Sequence, residues 1–161
     1  MAQIYHPKKT STKMIEGAAA GLVGGVVVAL VMIILDAVLR NGSWWYTLSL
    51  LGSVVYGTAE ANVAAVGAAF VIGTLILLVV FALVGMGFTS YKPLFRRFNI
   101  PLWAGGAIYG AFIWLTLFFI FLNAIKPSIS GMINQIAFFI ASVLGGAALG
   151  YWSGRPDAPK R

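Results

Sequence analysis

The chain has 161 residues, 60% hydrophobic and 9% charged, with a mean hydropathy of +0.93 and a formal net charge of +7. A soluble domain carries about one-quarter charged residues, so this composition excludes an ordinary soluble protein and identifies an integral membrane chain of one domain, 1–161. With no cysteine and a single histidine, His6, the chain by itself supplies neither thiolates for an iron–sulfur cluster nor two histidines for haem, and no cofactor or metal site is expected.

Residues 1–15 form a polar tail in which Lys8, Lys9 and Lys13 precede the first apolar run. That order also suits a secretory signal peptide, but the run exceeds the ~7–15 residues of such an apolar region and no A-x-A-like cleavage site follows it. The first span is expected over 16–39, with Glu16 in its first turn, where a negative charge suits the helix dipole. From Gly17 to Leu35 there is no charge, and Gly17, Gly21 and Gly25 lie four apart, so one side of the helix accepts a close neighbour.

Asp36 and Arg40, one turn apart, read as a helix-end ion pair before the Asn41-Gly42 stop. In residues 43–56, SWWYTLSLLGSVVY, Trp44, Leu48, Leu51 and Val55 recur at helical spacing. Fourteen residues are too few to span, so the segment reads as an interfacial amphipathic helix capped by Ser43 on the outer face, with a re-entrant loop as the alternative.

A second span is expected over 61–88, in a charge-free interval between Glu60 and Lys92. Gly57, Ala61, Ala65, Ala69 and Gly73 form a small-residue ladder along it, and Gly85 and Gly87 are expected to loosen its end. The segment 90–99 reads as a basic cytoplasmic loop whose Lys92, Arg96 and Arg97 meet lipid headgroups. The third span, 101–123, starts at Pro101 and carries Gly106 and Gly110. Its Trp103, Trp114 and Phe121 lie on one side and Phe112 and Phe119 on the other, as expected of a helix between lipid and protein. Packing explains these aromatics more simply than a pigment or quinone. The fourth span, 131–152, has the ladder Ser142, Gly146, Gly150, Gly154, and residues 153–161 are a short basic tail.

Nine basic residues (Lys8, Lys9, Lys13, Lys92, Arg96, Arg97, Arg155, Lys160, Arg161) fall on one side of the spans, and Arg40 and Lys126 on the other. Under the positive-inside rule both termini are cytoplasmic, and the charge is a topology and lipid signal with no call for nucleic acid. The glycine pairs Gly21/Gly25 and Gly106/Gly110, offset by 85 residues, hint at two tandem helical hairpins.

The fold class expected is therefore an all-α integral membrane protein: a four-transmembrane-helix bundle of cell-membrane type, with a short outer-face interfacial helix between helices 1 and 2. No nucleotide, zinc, redox or nucleophile motif occurs in the sequence, so an enzyme is not expected. The helix-packing ladders point to a non-catalytic accessory subunit packed against larger membrane subunits, as in a respiratory or photosynthetic electron-transfer assembly. The alternative is a small homo-oligomeric transporter or channel for protons, cations or a small solute, with the outer-face ion network Asp36, Arg40 and Glu60 at its mouth.

Overall fold

The computed structural model describes residues 10–40, 43–56, 63–122, 124 and 132–155. It contains α1 (Thr10–Leu39), α2 (Tyr46–Tyr56), α3 (Val63–Arg97), α4 (Leu102–Leu115), which continues as a π-helical segment (Thr116–Leu122), and α5 (Gln135–Gly154). The described residues form no strand. Among the described residues, four helical stretches are long and apolar enough to cross a membrane: Thr12–Leu39, Gly67–Arg97, Leu102–Ile120 and Gln135–Gly154.

Their outward faces are as apolar as their inward ones. Leu22, Val26, Leu30, Ile34 and Val38 are exposed every fourth residue along α1, as are Val71, Leu75, Val79 and Leu83 along α3. Continuous stripes of this kind are foreign to soluble monomers and belong to a multi-pass membrane protein.

The helices pair as two antiparallel hairpins, α1 with α3 and α4 with α5, joined through α1 and α5. Adjacent glycines make this possible. Consecutive helical residues point about 100° apart, so Gly25 faces Phe81 of α3 while Gly24 faces Gly145 and Leu149 of α5. Likewise Gly145 meets Gly24 and Val28 of α1, while Gly146 meets Gly106 and Gly110 of α4. Each of the two central helices thus approaches two neighbours at backbone distance. The space between is filled by Val28, Ala29, Met32, Leu77, Phe81, Phe118, Phe138 and Ala141 in one continuous apolar cluster.

Several boundaries differ from the sequence expectation. Helix α1 starts at Thr10, so Glu16 is not in its first turn. Nothing between Pro7 and the apolar run breaks a helix, and the backbone ladder continues into the polar tail. Helix α3 runs unbroken through Gly85, Gly87 and Pro93 to Arg97, so most of the expected basic loop 90–99 is helical. Gly85 does not loosen the helix; it is the contact point for Gly17 and Gly21. The turn after α3 needs only Phe98 and Asn99: Asn99 takes a left-handed φ of 53°, Ile100 N–H donates to Phe95 O (2.9 Å), and Asn99 N–H donates to Arg96 O (3.1 Å). This is a Schellman ending, which Asn tolerates.

At 35 residues α3 is about 50 Å long and overshoots an apolar core of ~30 Å. Its first turns are covered by α2, which runs antiparallel beside it. A side chain at Gly52 would strike the Ala69 carbonyl, and one at Gly73 the Leu48 carbonyl. The α3 ladder therefore serves α2, and a different face of α3 serves α1. Pro101 is the N-cap of α4, not its first helical residue, and Asn134 caps α5 by accepting from the Ala137 N–H at 3.1 Å.

Candidate functional site

The chemistry-bearing side chains fall at the two ends of the bundle. Among the described residues, Lys13, Lys92, Arg96, Arg97 and Arg155 are at one end and Arg40 at the other. Gly17 packed on Gly85 and Thr89, and Lys92 on Ser153, fix the first end; Arg40 bonded to Met132 fixes the second.

The Arg40 end holds the one charged residue among the described residues that is buried in the core. Asp36 is 2% exposed, although its sequence position suggested an exposed ion pair. One carboxylate oxygen accepts the Thr47 backbone N–H at 2.7 Å and the other accepts the Thr47 hydroxyl at 2.9 Å. Thr47 lies in the first turn of α2, where backbone N–H groups lack helical partners and the dipole is positive. Asp36 therefore caps α2 from another helix, the role expected of Ser43. Ser43 instead uses its backbone, donating to Arg40 O and accepting from Tyr46 N–H, both at 3.2 Å.

Arg40 completes the junction. Its Nε is 3.7 Å from Asp36 Oδ1, its Nη2 donates to Met132 O at 2.6 Å, and its guanidinium lies 3.8 Å from the centre of the Tyr46 ring. The pair thus joins the end of α1 to the start of α2 and to the strand of chain leading into α5. Glu60, the third member of the expected network, lies outside the described residues. With both oxygens of Asp36 engaged and Thr47 fully buried, the junction is a mechanical clamp. Thr47, Tyr46 and Met132 were not legible beforehand: nothing in sequence ties a threonine to an aspartate eleven residues earlier.

The expected helix-packing residues are largely brought together. Gly17, Gly21 and Gly25 meet α3 at Thr89, Phe81 and Gly85; Gly106 and Gly110 meet Ser142, Gly146 and Gly150; Ala69 and Gly73 meet α2. Ala61, Gly57 and the side chain of Ala65 lie outside the described residues. Gly24, Gly52, Gly85 and Gly145 are contact points that the ladders did not include. The packing is intramolecular, so the ladders no longer argue for a partner by themselves.

Of the expected headgroup residues, Lys92 donates to Ser153 O at 3.2 Å, tying α3 to the C-terminal turn of α5, while Arg96 and Arg97 are exposed in the last turn of α3. In α4, Trp103 is exposed, and Trp114 is partly buried against Phe118, Phe119 and Phe139 with ring centres 5.0–5.9 Å apart. The side chain of Phe121 lies outside the described residues. No group of three or more His, Cys, Asp or Glu capable of holding a metal occurs among the described residues. Comparison with models of known families, with curated proteins and with solved structures returns no match.

Proposed function

We propose that the protein is a non-catalytic structural subunit of a larger membrane assembly, inserted with both termini in the cytoplasm and the Asp36 junction at the outer face. The observation that carries this reading is the use made of Asp36. A buried acid in a membrane bundle is by default a candidate for ion or proton handling. Here both its oxygens hold α2, and close-packed Val28, Met32, Phe81, Ala141 and Leu149 fill the centre. Such an interior suits a rigid body that presents surfaces to neighbours. The large aliphatic and aromatic residues on the outer faces of α1, α3 and α4 are the surfaces available to lipid and to larger subunits.

In this reading α2 is the outer-face helix, held upright against α3 by the Gly52 and Gly73 contacts. The exposed Trp44 and Trp45, in the turn just before it, occupy the interfacial belt. The basic end, with Arg96 and Arg97, faces the cytoplasmic leaflet.

A second reading, a homo-oligomeric transporter, is favoured by one feature, the burial of a carboxylate within reach of a span. Two measurements separate them. Extraction in mild detergent followed by native mass spectrometry is expected to show stable association with larger membrane subunits, and to reveal whether they belong to an electron-transfer complex. Reconstitution of the isolated protein in liposomes is expected to give no proton or cation flux; flux abolished by Asp36→Asn in folded protein would replace the first reading by the second. Single cysteines at Ser90 and Ser153 are expected to resist an impermeant thiol reagent applied from outside, while one at Ser43 reacts.

A further inference from the structure

At the basic end, the first turn of α4 and the last turn of α5 enclose an open groove of about 350 Å³ lined by Leu102, Trp103, Gly150, Tyr151, Gly154 and Arg155. Its volume falls within the ~300–1,000 Å³ of small-molecule sites. Glycine makes it. A side chain at Gly150 would strike the Leu102 carbonyl, so the helices meet there. At Gly154 the nearest atoms to a Cβ are Leu102 Cδ1 and Cβ at 3.5 and 3.6 Å, leaving room for the groove to open toward the helix end. The walls are apolar and aromatic, with Trp103 and Tyr151 exposed at 56% and 61%.

One cation stands at the mouth. The Arg155 guanidinium lies 4.4 Å from the Trp152 ring centre and 5.3 Å from that of Tyr151, so two aromatic faces set its position. Those two rings are its side-chain contacts among the described residues, and its planar fork of donors suits two phosphate oxygens at once. Lys92, anchored on the adjacent Ser153 carbonyl, adds positive charge beside the same turn.

An apolar trough closed at its polar end by an aromatic-braced arginine matches an amphiphile with an anionic head. We propose that this groove is a specific site for an anionic phospholipid of the surrounding leaflet, with one acyl chain against Leu102, Trp103 and Tyr151 and the phosphate on Arg155. The proposal rests on the membrane reading and the insertion of the basic end into a leaflet, not on the subunit role. It also differs from diffuse attraction of lipid to Arg96 and Arg97, because it assigns selectivity to one arginine and one trough.

The test uses full-length protein in nanodiscs of phosphatidylcholine and phosphatidylglycerol in equal amounts, doped with phosphatidylglycerol bearing a photoreactive group on its acyl chain. Crosslinks, mapped by mass spectrometry, are expected at Trp103 and Tyr151. Arg155→Gln is expected to lower them about fivefold or more, the scale set by one basic residue at an anionic surface, while Arg97→Gln, with the same loss of charge, leaves them within about twofold. Gly154→Leu, which fills the trough and keeps the arginine, is expected to lower them as well. Arg155 is exposed, so its variant retains the fold, and an unchanged unfolding midpoint verifies this.

Equal losses in the Arg155 and Arg97 variants would replace the site by diffuse electrostatics. Equal crosslinking by a phosphatidylcholine probe would remove the phosphate-charge selectivity. Either result overturns the proposal while leaving the subunit reading intact, because co-purification of partners is measured separately.

Discussion

The two ends of α1 are held by opposite physics. Toward the basic end, Gly17 and Gly21 lie directly on the backbone of α3 and Gly25 lies on the Phe81 and Leu78 side chains, so shape alone makes this seam. Toward the other end, α1 ends in Asp36 and Arg40, which hold α2 and the entry to α5 through hydrogen bonds, an ion pair and a ring contact. A glycine seam is non-specific in chemistry and demanding in shape: any added atom is an error. The polar clamp is specific in chemistry and tolerates small shifts, but fails when either partner is removed. The difference shows why the long α1 is held by glycine seams on both α3 and α5, while α2, only 11 residues long, needs both a seam and a clamp.

The largest effect is expected from filling a seam. Gly21→Leu or Gly106→Leu drives a side chain into a facing carbonyl, of Phe81 or Gly146, that the helix cannot withdraw. A loss of at least ~3 kcal/mol is expected, at or beyond the top of the usual range for overpacking. Unfolding by denaturing detergent and the yield of monodisperse protein measure it. Val26→Leu, on the exposed face of α1, is the control and is expected to change little. Equal tolerance at positions 21 and 26 would remove the seam as the source of helix pairing.

Removing the clamp comes next. Asp36→Ala leaves the Thr47 N–H and hydroxyl and the Arg40 charge without their acceptor, a loss of about 2–4 kcal/mol. Asp36→Asn retains one acceptor oxygen and is expected to lose roughly half as much. Hydrogen exchange in residues 46–56 is expected to rise in both, with α4 and α5 unaffected. If exchange rises evenly across the bundle, Asp36 holds the whole fold and not one helix.

Gly52→Leu sharpens the same comparison, because it attacks α2 through its seam on Ala69 instead of its clamp. A loss of about 1–3 kcal/mol is expected. Combined with Asp36→Ala, the total is expected to fall short of the sum, since a helix already released has little left to lose. Strict additivity would show that clamp and seam act on separate elements.

Two smaller effects mark the limits. Asn134→Ala removes the α5 cap and is expected to cost about 1 kcal/mol. Gly67→Ala, where no atom of the described residues lies within 4 Å of the added Cβ, is expected to stabilise by up to ~1 kcal/mol, because alanine is the better helix former. A destabilising Gly67→Ala in the isolated protein would contradict the open space seen there.

The number of spans and, among the described residues, the separation of basic from non-basic ends were legible in the chain, because membrane thickness and the cost of charge act on every segment alone. So was the presence of close-contact faces, since glycine and alanine at spacing four permit approach whatever lies opposite. Which face meets which was decided only by the tertiary structure. The ladder of Ala69 and Gly73 turned to α2, while α1 found Phe81 and Gly85, and neighbouring glycines at 24–25 and 145–146 let two helices each serve two partners. A small residue states that a neighbour comes near and carries no information about its identity. The same holds for Asp36. An acid four residues before an arginine has one sequence signature whether it ends in water or in the core, and only the arrival of Thr47 at the first turn of α2 made burial of that carboxylate stable.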